Sequence, residues 1–277
     1  MRFEEVLPVI RAALKEDMPE GDITSENLIP ADSVSSAVFV AKEGGILAGI
    51  DVAGWVFHEV DPNVEFRKMI DDGVRIAPND ALAAVRGSSV ALLKAERTAL
   101  NFLQRMSGVA TAANRFVEVL KGTRTKVLDT RKTTPGLRVL EKYSVRAGGG
   151  TNHRFSLSDM VLIKDNHLRL TGSIKEAVER IRVKVRKGVK IEVETTTLEE
   201  VEEALESGVD WIMLDNMELA EISNAVDLVR GRILLEVSGN VDLERAKEIA
   251  GLGVDFISVG ALTHSYSSLD ISLEFKT

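Results

Sequence analysis

KIEVETTTLEEVEEALESGVDWIMLD, Lys190–Asp215, reads as a strand, a helix and a second strand. Lys190–Glu194 alternates aliphatic and acidic side chains, the period of a pleated strand. Leu198–Glu206 is helical and closes near Gly208, which supplies the left-handed cap conformation, and Trp211–Asp215 is again a strand. The same unit extends in both directions. Further strands are expected at Lys126–Asp129, Met160–Lys164, Ile233–Val237 and Phe256–Val259. Helices are expected at Ser173–Val185, Leu219–Val229 and Leu243–Ala250, closing near Gly188, Gly231 and Gly251. Glu194, Asp215 and Glu236 recur at intervals of 21 residues. Repeated βα units imply parallel strands joined by right-handed crossovers. Six of them imply a closed or nearly closed barrel, with a doubly wound sheet as the alternative.

Alternation within these strands separates two faces. One carries Ile191/Val193, Ile212/Leu214, Ile233/Leu235/Val237 and Ile257/Val259, all aliphatic and suited to packing under helices. The other carries Glu192/Glu194, Met213/Asp215, Glu236/Ser238 and Ser258/Gly260, and points inward if the sheet closes. An inert barrel interior is filled with branched apolar side chains, and carboxylates there are costly unless they bind something. Glu194 and Asp215 therefore read as functional, at the strand ends where such folds place their sites.

The N-terminal hundred residues follow another pattern. Residues 3–16 form an amphipathic helix, and β-like runs follow at Ser36–Ala41, Ile46–Ile50, Val64–Ile70 and Ala81–Gly87, with a helix at Val52–Glu59. That describes a small α+β layer with a turn at Asp71-Asp72-Gly73; His58 sits among apolar residues as a structural side chain. From Ala91 to Lys121 the period turns helical, with Leu92, Ala95, Ala99, Leu103, Met106 and Ala110 as an apolar stripe. Gly108 reads as a break between two helices, and Arg97, Asn101 and Arg105 as an ordinary solvated face.

The chain has 277 residues, no cysteine and a formal net charge of −8. Disulfides, thiolate nucleophiles and zinc–thiolate sites are thereby excluded, and any metal falls to carboxylate oxygens, which favour magnesium or manganese. No run approaches the ~20 apolar residues of a membrane span. The acidic N-terminus does not resemble a signal peptide, so a cytoplasmic location is expected. Against the acidic background, Val127–Asn166 holds seven Lys/Arg (Arg131, Lys132, Arg138, Lys142, Arg146, Arg154, Lys164) and four acids. A basic island in an acidic chain is a focused anion site; a nucleic-acid surface needs a broad basic face. Within it, Arg138, Lys142 and Arg146 lie on an intervening helical segment and read as surface or supporting charges.

The strand ends thus offer Arg131, Lys132, Arg154 and Lys164, then Glu194 and Asp215, then the turns Ser238-Gly239-Asn240 and Val259-Gly260-Ala261. Glycine turns after the last barrel strands bring backbone N–H groups onto phosphate, and arginines capture carboxylate or phosphate bidentately. The combination points to a phosphorylated sugar with diphosphate and an anionic second substrate.

These residues sit in blocks that resemble quinolinate phosphoribosyltransferases, the type II phosphoribosyltransferases. The blocks are AERTALNFLQRMSGVAT (Ala95–Thr111), LDTRKTTPGLRVLEKYSVRAGGGTNHRFSLSDMVLIKDNH (Leu128–His167), IEVETT (Ile191–Thr196), IMLDNM (Ile212–Met217), LEVSGN (Leu235–Asn240) and ISVGALTH (Ile257–His264). The resemblance implies an N-terminal α/β sandwich over residues 1–108, joined by the C-terminal segment 267–277, and an incomplete, TIM-like open α/β barrel over 109–266. It implies phosphoribosyl transfer from phosphoribosyl pyrophosphate to quinolinate with decarboxylation, magnesium as cofactor, and a homodimer or larger assembly. Arg97 would reach the neighbouring subunit's site and, with Arg131, His153, Arg154 and Lys164, meet quinolinate, and Thr130 would be a further substrate-binding residue. Lys132 and Lys164 would lie by the diphosphate, and Glu194 and Asp215 by ribose and magnesium, directly or through water. The Ser238–Asn240 and Val259–Ala261 turns would hold the 5′-phosphate. His153 is left with two readings, a hydrogen bond to a carboxylate or a proton for C2. The alternatives are transfer to nicotinate or another pyridine acid, a Schiff-base barrel lyase using Lys164, and a non-catalytic phosphate-binding module.

Overall fold

The structure is a computed structural model and describes residues 1–276. In chain order the elements are α1 (Phe3–Asp17), α2 (Ser25–Leu28), β1 (Val34–Ala41), β2 (Gly45–Ile46), α3 (Ile50–Val60), β3 (Glu65–Lys68), β4 (Arg75–Ile76), β5 (Ala81–Ser88) and α4 (Ser89–Val119). There follow β6 (Lys126–Leu128), α5 (Arg138–Ala147), β7 (Val161–Ile163), α6 (Asp165–Thr171), α7 (Ile174–Arg182), β8 (Ile191–Thr195), α8 (Leu198–Glu206) and β9 (Trp211–Asp215). The last are α9 (Leu219–Val229), β10 (Leu234–Ser238), α10 (Leu243–Gly251), β11 (Phe256–Ser258), α11 (Ala261–His264) and β12 (Ile271–Phe275). They form two compact units. The first is Met1–Asn114, Thr133–Gly149 and the chain from Leu262 onward; the second is Arg115–Lys132 and Gly150–Ala261.

In the first unit an antiparallel sheet of order β12-β1-β5-β3 carries the core. Phe39, Phe57 and Phe66 meet at centroid separations of 5.9–6.2 Å, and α1 buries Val6, Ile10 and Leu14, one face of a helix. The predicted strand Ile46–Ile50 is only the two-residue β2, because Ile50 already opens α3. Gly108 does not break a helix: α4 runs unbroken through it. A Cβ there would stand 2.2 Å from the Ser267 carbonyl oxygen, so the glycine admits a crossing chain. Arg105 is no solvated charge either. It pairs with the buried Glu141 and lies 4.9 Å from the Tyr266 ring centroid. Lys142, read as a surface or supporting charge, is buried, which excludes the first of the two.

The second unit holds a six-stranded parallel sheet of order β6-β11-β10-β9-β8-β7. The sheet is an open barrel, ending at β6 and β7. Its outer face is the aliphatic set expected, with Ile191, Val193, Ile212, Leu214, Leu235, Val237, Ile257 and Val259 all buried, except that Ile233 precedes β10 and is half-buried. Gly188, Gly208 and Gly231 take the left-handed conformation, whereas Gly251 belongs to α10 and Gly253 makes the turn. At the free edge of β6, Thr151 bridges to Leu128: the Thr151 N–H donates to Val127 O (2.9 Å) and the Asp129 N–H to Thr151 O (3.1 Å). This short segment covers an edge that no full strand pairs.

Asp210 and Asp255 act as braces beneath successive repeats. The Asp210 N–H donates to Ile191 O (2.8 Å), and its carboxylate accepts from the Ile191 N–H (3.0 Å) and Lys190 Nζ (2.8 Å). Asp255 does the same to Leu235, at 3.1 and 3.0 Å. Burial opposes ionisation of Asp210, but Lys190 and the Ile191 N–H outweigh it and hold the carboxyl below its ordinary pKa. A lowered carboxyl pKa adds stability that is present above the unfolded value and is lost as pH falls through the folded one. The side chain is partly solvated, so Asp210→Asn is expected to cost about 0.5–1 kcal/mol at pH 7. Urea unfolding should show the gap closing below about pH 4; a gap that persists at pH 3, or is absent at pH 7, contradicts the brace.

Candidate active site

The carboxyl ends of the six strands surround a cavity of about 570 Å³. The strand registers explain its lining. Leu162 aligns with Glu192, Glu194 with Met213, Ser238 with Asp215, and Glu236 with both Met213 and Phe256. Exposure then divides the inward side chains. Glu194, Asp215 and Ser238 stand at the half-exposed rim, above the buried Met213, Glu236 and Ser258.

Four cations lie along one side: Arg131 and Lys132 after β6, Arg154 after the bridging segment, and Lys164 after β7. Lys164 Nζ is ion-paired with Glu194 Oε2. The Lys132 N–H donates to Thr130 Oγ1 at 3.0 Å, which turns the chain after β6. Arg154 Nη1 donates to Met160 O at 3.0 Å, and burial, reinforced by the like charge of Arg131, lowers the Arg154 pKa from its ordinary value.

Opposite stands the turn Ser238-Gly239-Asn240. The Asn216 N–H donates to Ser238 O (2.9 Å) and its side-chain amide to Asp215 Oδ2 (2.9 Å). Gly239 has φ +99°, and a Cβ on it would lie 2.2 Å from Asn216 Oδ1 and 3.0 Å from the Asn216 nitrogen. Only glycine lets these two strand ends meet.

Below the rim, Asp129 is buried and accepts from the His153 N–H (2.8 Å) and the Asn152 side-chain amide (2.5 Å). The His153 ring stacks on Trp211, centroids 5.6 Å apart. Its Nε2 lies 3.0 Å from Glu192 Oε2 and 3.4 Å from Glu236 Oε2, and both glutamates are 0 % exposed. Neither contact is aligned as a hydrogen bond; both are close approaches of the ring nitrogen to a carboxylate oxygen. Burial disfavours a charged imidazole, and the two carboxylates counter it by strengthening the hold of Nε2 on its proton. Burial lifts Glu192 to about 7 against the opposing pull of His153. The Arg154 N–H donates to His153 Nδ1 at 2.7 Å. A doubly protonated ring would set a second N–H against that donor. The backbone contact is the more specific constraint, so the ring carries its proton on Nε2, facing the carboxylates.

Residues 22–107 match the family model for the quinolinate phosphoribosyl transferase N-terminal domain, and residues 109–274 match that for the C-terminal domain. The chain belongs to the quinolinate phosphoribosyltransferase family. It is 43% identical to quinolinate phosphoribosyltransferase [decarboxylating] 1b of Nicotiana tabacum, over 97% of this chain and 82% of the tobacco protein. It is 42% identical to nicotinate-nucleotide pyrophosphorylase [carboxylating] of Mycobacterium leprae, over 98% of each. Among solved structures, NadC from Streptococcus pyogenes superposes with a TM-score of 0.96 at 41% identity, covering 100% of this chain and 99% of that one.

Of the site residues expected for this family, the cavity gathers Thr130, Arg131, Lys132, His153, Arg154, Lys164, Glu194, Asp215, Ser238, Gly239 and Asn240. Val259, Gly260 and Ala261 are not among its lining: Val259 is buried, with its N–H on Leu128 O at 3.0 Å. Arg97 is exposed on α4 in the first unit. Sequence reasoning passed over Asp129, Glu192 and Glu236 as site residues. The inward alternation had marked both glutamates, and Glu236 also fell in the 21-residue recurrence. Nothing in the sequence marked Asp129 as the anchor of residues far along the chain.

Gly239→Ala should cost about 1–3 kcal/mol of stability through strain and the clash with Asn216. Chemical denaturation measures this, and an unchanged midpoint contradicts the packing described.

Proposed function

We propose that this chain transfers the phosphoribosyl group of phosphoribosyl pyrophosphate to quinolinate, releasing pyrophosphate and carbon dioxide and leaving nicotinate mononucleotide for NAD synthesis. The observation that carries the reading is one cavity with four cations on one wall and Glu194, Asp215 and the Ser238–Asn240 turn on the other. A dicarboxylate needs several fixed cations, and a sugar bearing phosphate and diphosphate needs hydroxyl acceptors, backbone donors and cations together.

In this reading Arg131 and Arg154 hold the carboxylates of quinolinate. Lys132 and Lys164 receive the diphosphate, with Lys164 leaving Glu194 for it. Glu194 and Asp215 accept the ribose hydroxyls, and the glycine turn at 238–240 seats the 5′-phosphate. The pyridine nitrogen attacks C1 of the ribose as the C1–O bond to pyrophosphate breaks with its electron pair. Positive charge building on the sugar faces Glu194 and Asp215, and negative charge on the leaving group faces the lysines. The resulting pyridinium accepts the electron pair of the C2–carboxylate bond, carbon dioxide departs, and C2 takes up a proton. Both ring nitrogens of His153 are turned to protein groups, so that proton is not routed through it.

Glu194 and Asp215 stand at the half-exposed rim among oxygen donors, a set that fits magnesium shared with a diphosphate. Such an ion supplies neutralisation of the pyrophosphate charge. Arg97, exposed on the first unit, is the arm we assign to the neighbouring subunit's pocket, which makes the assembly a homodimer or larger. A cysteine-free enzyme of anionic metabolites fits the cytoplasm, and no helix among the described residues is long and apolar enough to cross a membrane. The pairing of Lys164 with Glu194 speaks against a Schiff-base role, which needs a neutral amine.

The test supplies purified protein with magnesium, phosphoribosyl pyrophosphate and either quinolinate or nicotinate. Quinolinate-dependent release of pyrophosphate and carbon dioxide is expected, and its absence sinks the reading. Arg131→Ala should lower kcat/KM for quinolinate by about 10- to 100-fold. Mixing inactive Arg97→Ala and Asp215→Ala proteins should restore part of the activity; no rescue argues against shared sites.

A further inference from the structure

Glu192 and Glu236 have no place in the proposed reaction, yet burying a carboxylate is costly. Both are fully buried, and among the described residues their carboxylate oxygens have no hydrogen-bond donor. A buried carboxylate without donors costs several kcal/mol, whereas a branched apolar residue would fill the same barrel layer at no such cost.

What they do touch is a chain of contacts leading to the substrate wall. Both carboxylates approach His153 Nε2, at 3.0 and 3.4 Å. On the far side of the ring, Nδ1 accepts the Arg154 N–H at 2.7 Å. Glu192 also acts electrostatically on the Arg154 guanidinium directly. The ring is clamped in its plane by Trp211 and tied through its own backbone N–H to Asp129.

We infer that Glu192 and Glu236 are positioning residues for quinolinate binding: from beneath the cavity they fix the orientation and tautomer of His153, and His153 in turn fixes Arg154 against the substrate carboxylate. The carboxylates select the ring orientation with the proton on Nε2. That orientation leaves Nδ1 free to accept from the Arg154 backbone. The other tautomer would set an Nδ1–H against the Arg154 N–H and release the arginine's backbone.

The three side chains also have the composition of a metal site, since one donor atom from each lies within 4.8 Å of the others. The Arg154 contact argues against it. With Nδ1 committed as an acceptor, a metal at Nε2 would demand an imidazolate, and the Arg154 charge beside Glu192 already offsets part of the acidic charge.

The inference rests on reading the cavity as the quinolinate site, and its test separates the two. Glu192→Gln and Glu236→Gln preserve shape and remove charge. Each is expected to raise KM for quinolinate about tenfold, with KM for phosphoribosyl pyrophosphate changing less than twofold. His153→Asn combined with Glu236→Gln should be no worse than His153→Asn alone, because the glutamate acts only through the ring. Additive losses, or equal rises in both KM values, would mean a general structural role and overturn the inference. Side-chain ¹⁵N NMR of the wild-type protein, with His153→Asn for assignment, reads the ring directly and depends on neither activity nor the folding of the glutamate variants. The Nε2–H tautomer is expected, and the Nδ1–H tautomer overturns the inference. A transition metal retained by the wild type and lost from Glu236→Gln would overturn it as well. Wild-type protein without quinolinate-dependent turnover would defeat the functional reading, while the NMR result would still decide for or against the contact chain.

Discussion

The carboxylate of Asp129 holds together what an open barrel would otherwise leave apart. A parallel barrel that stops at β6 and β7 exposes the edge of β6. Asp129, the first residue after β6, accepts the His153 N–H and the Asn152 amide, and Thr151 completes the bridge to Leu128. Hydrogen bonds to an ionised group are worth about 1.5–3 kcal/mol each, more than the neutral pairs of the sheet around them. Two of them are enough to pin a loop that carries two site residues. His153 and Arg154 thus reach the cavity from a segment that is not a strand.

Charge is layered within that barrel. The outer face is aliphatic and packs under helices, so every polar side chain of β8–β11 that alternation turns away from it must go inside. At the rim these groups meet water and any bound ligand. Deeper in, Glu192 and Glu236 approach His153, whose Nδ1 links the cluster to Arg154. The cations of the substrate wall come from the chain after β6 and β7 and from the bridging segment, whereas the acids come from β8 and β9. An acidic protein can bind polyanions because its barrel segregates the two signs by strand.

Much of this was legible in the sequence, for local reasons. Period-two alternation in Ile191–Glu194 or Leu235–Ser238 is a property of adjacent residues, and it assigned both faces correctly. The rim cations and carboxylates followed from their places at strand ends. The failures all involve partners distant in the chain. Gly108 looked like a helix breaker because its reason, the passing backbone at Ser267, lies 159 residues away in the sequence. Arg105 looked solvated because charge alone does not reveal a buried partner such as Glu141. Asp129 looked like the last residue of a strand, since nothing nearby shows that it must anchor Asn152 and His153.

The central claim is that one cavity of the second unit receives both an acidic pyridine and a phosphorylated sugar, divided between a cationic wall and a carboxylate-and-glycine wall. The most direct measurement is a crystal structure of the protein with quinolinate and a non-reacting carbocyclic analogue of phosphoribosyl pyrophosphate. The account predicts the pyridine carboxylates on Arg131 and Arg154, the diphosphate at Lys132 and Lys164, and the 5′-phosphate on the turn at Ser238–Asn240. A pyridine bound away from both arginines, or a 5′-phosphate seated elsewhere than that turn, would contradict it.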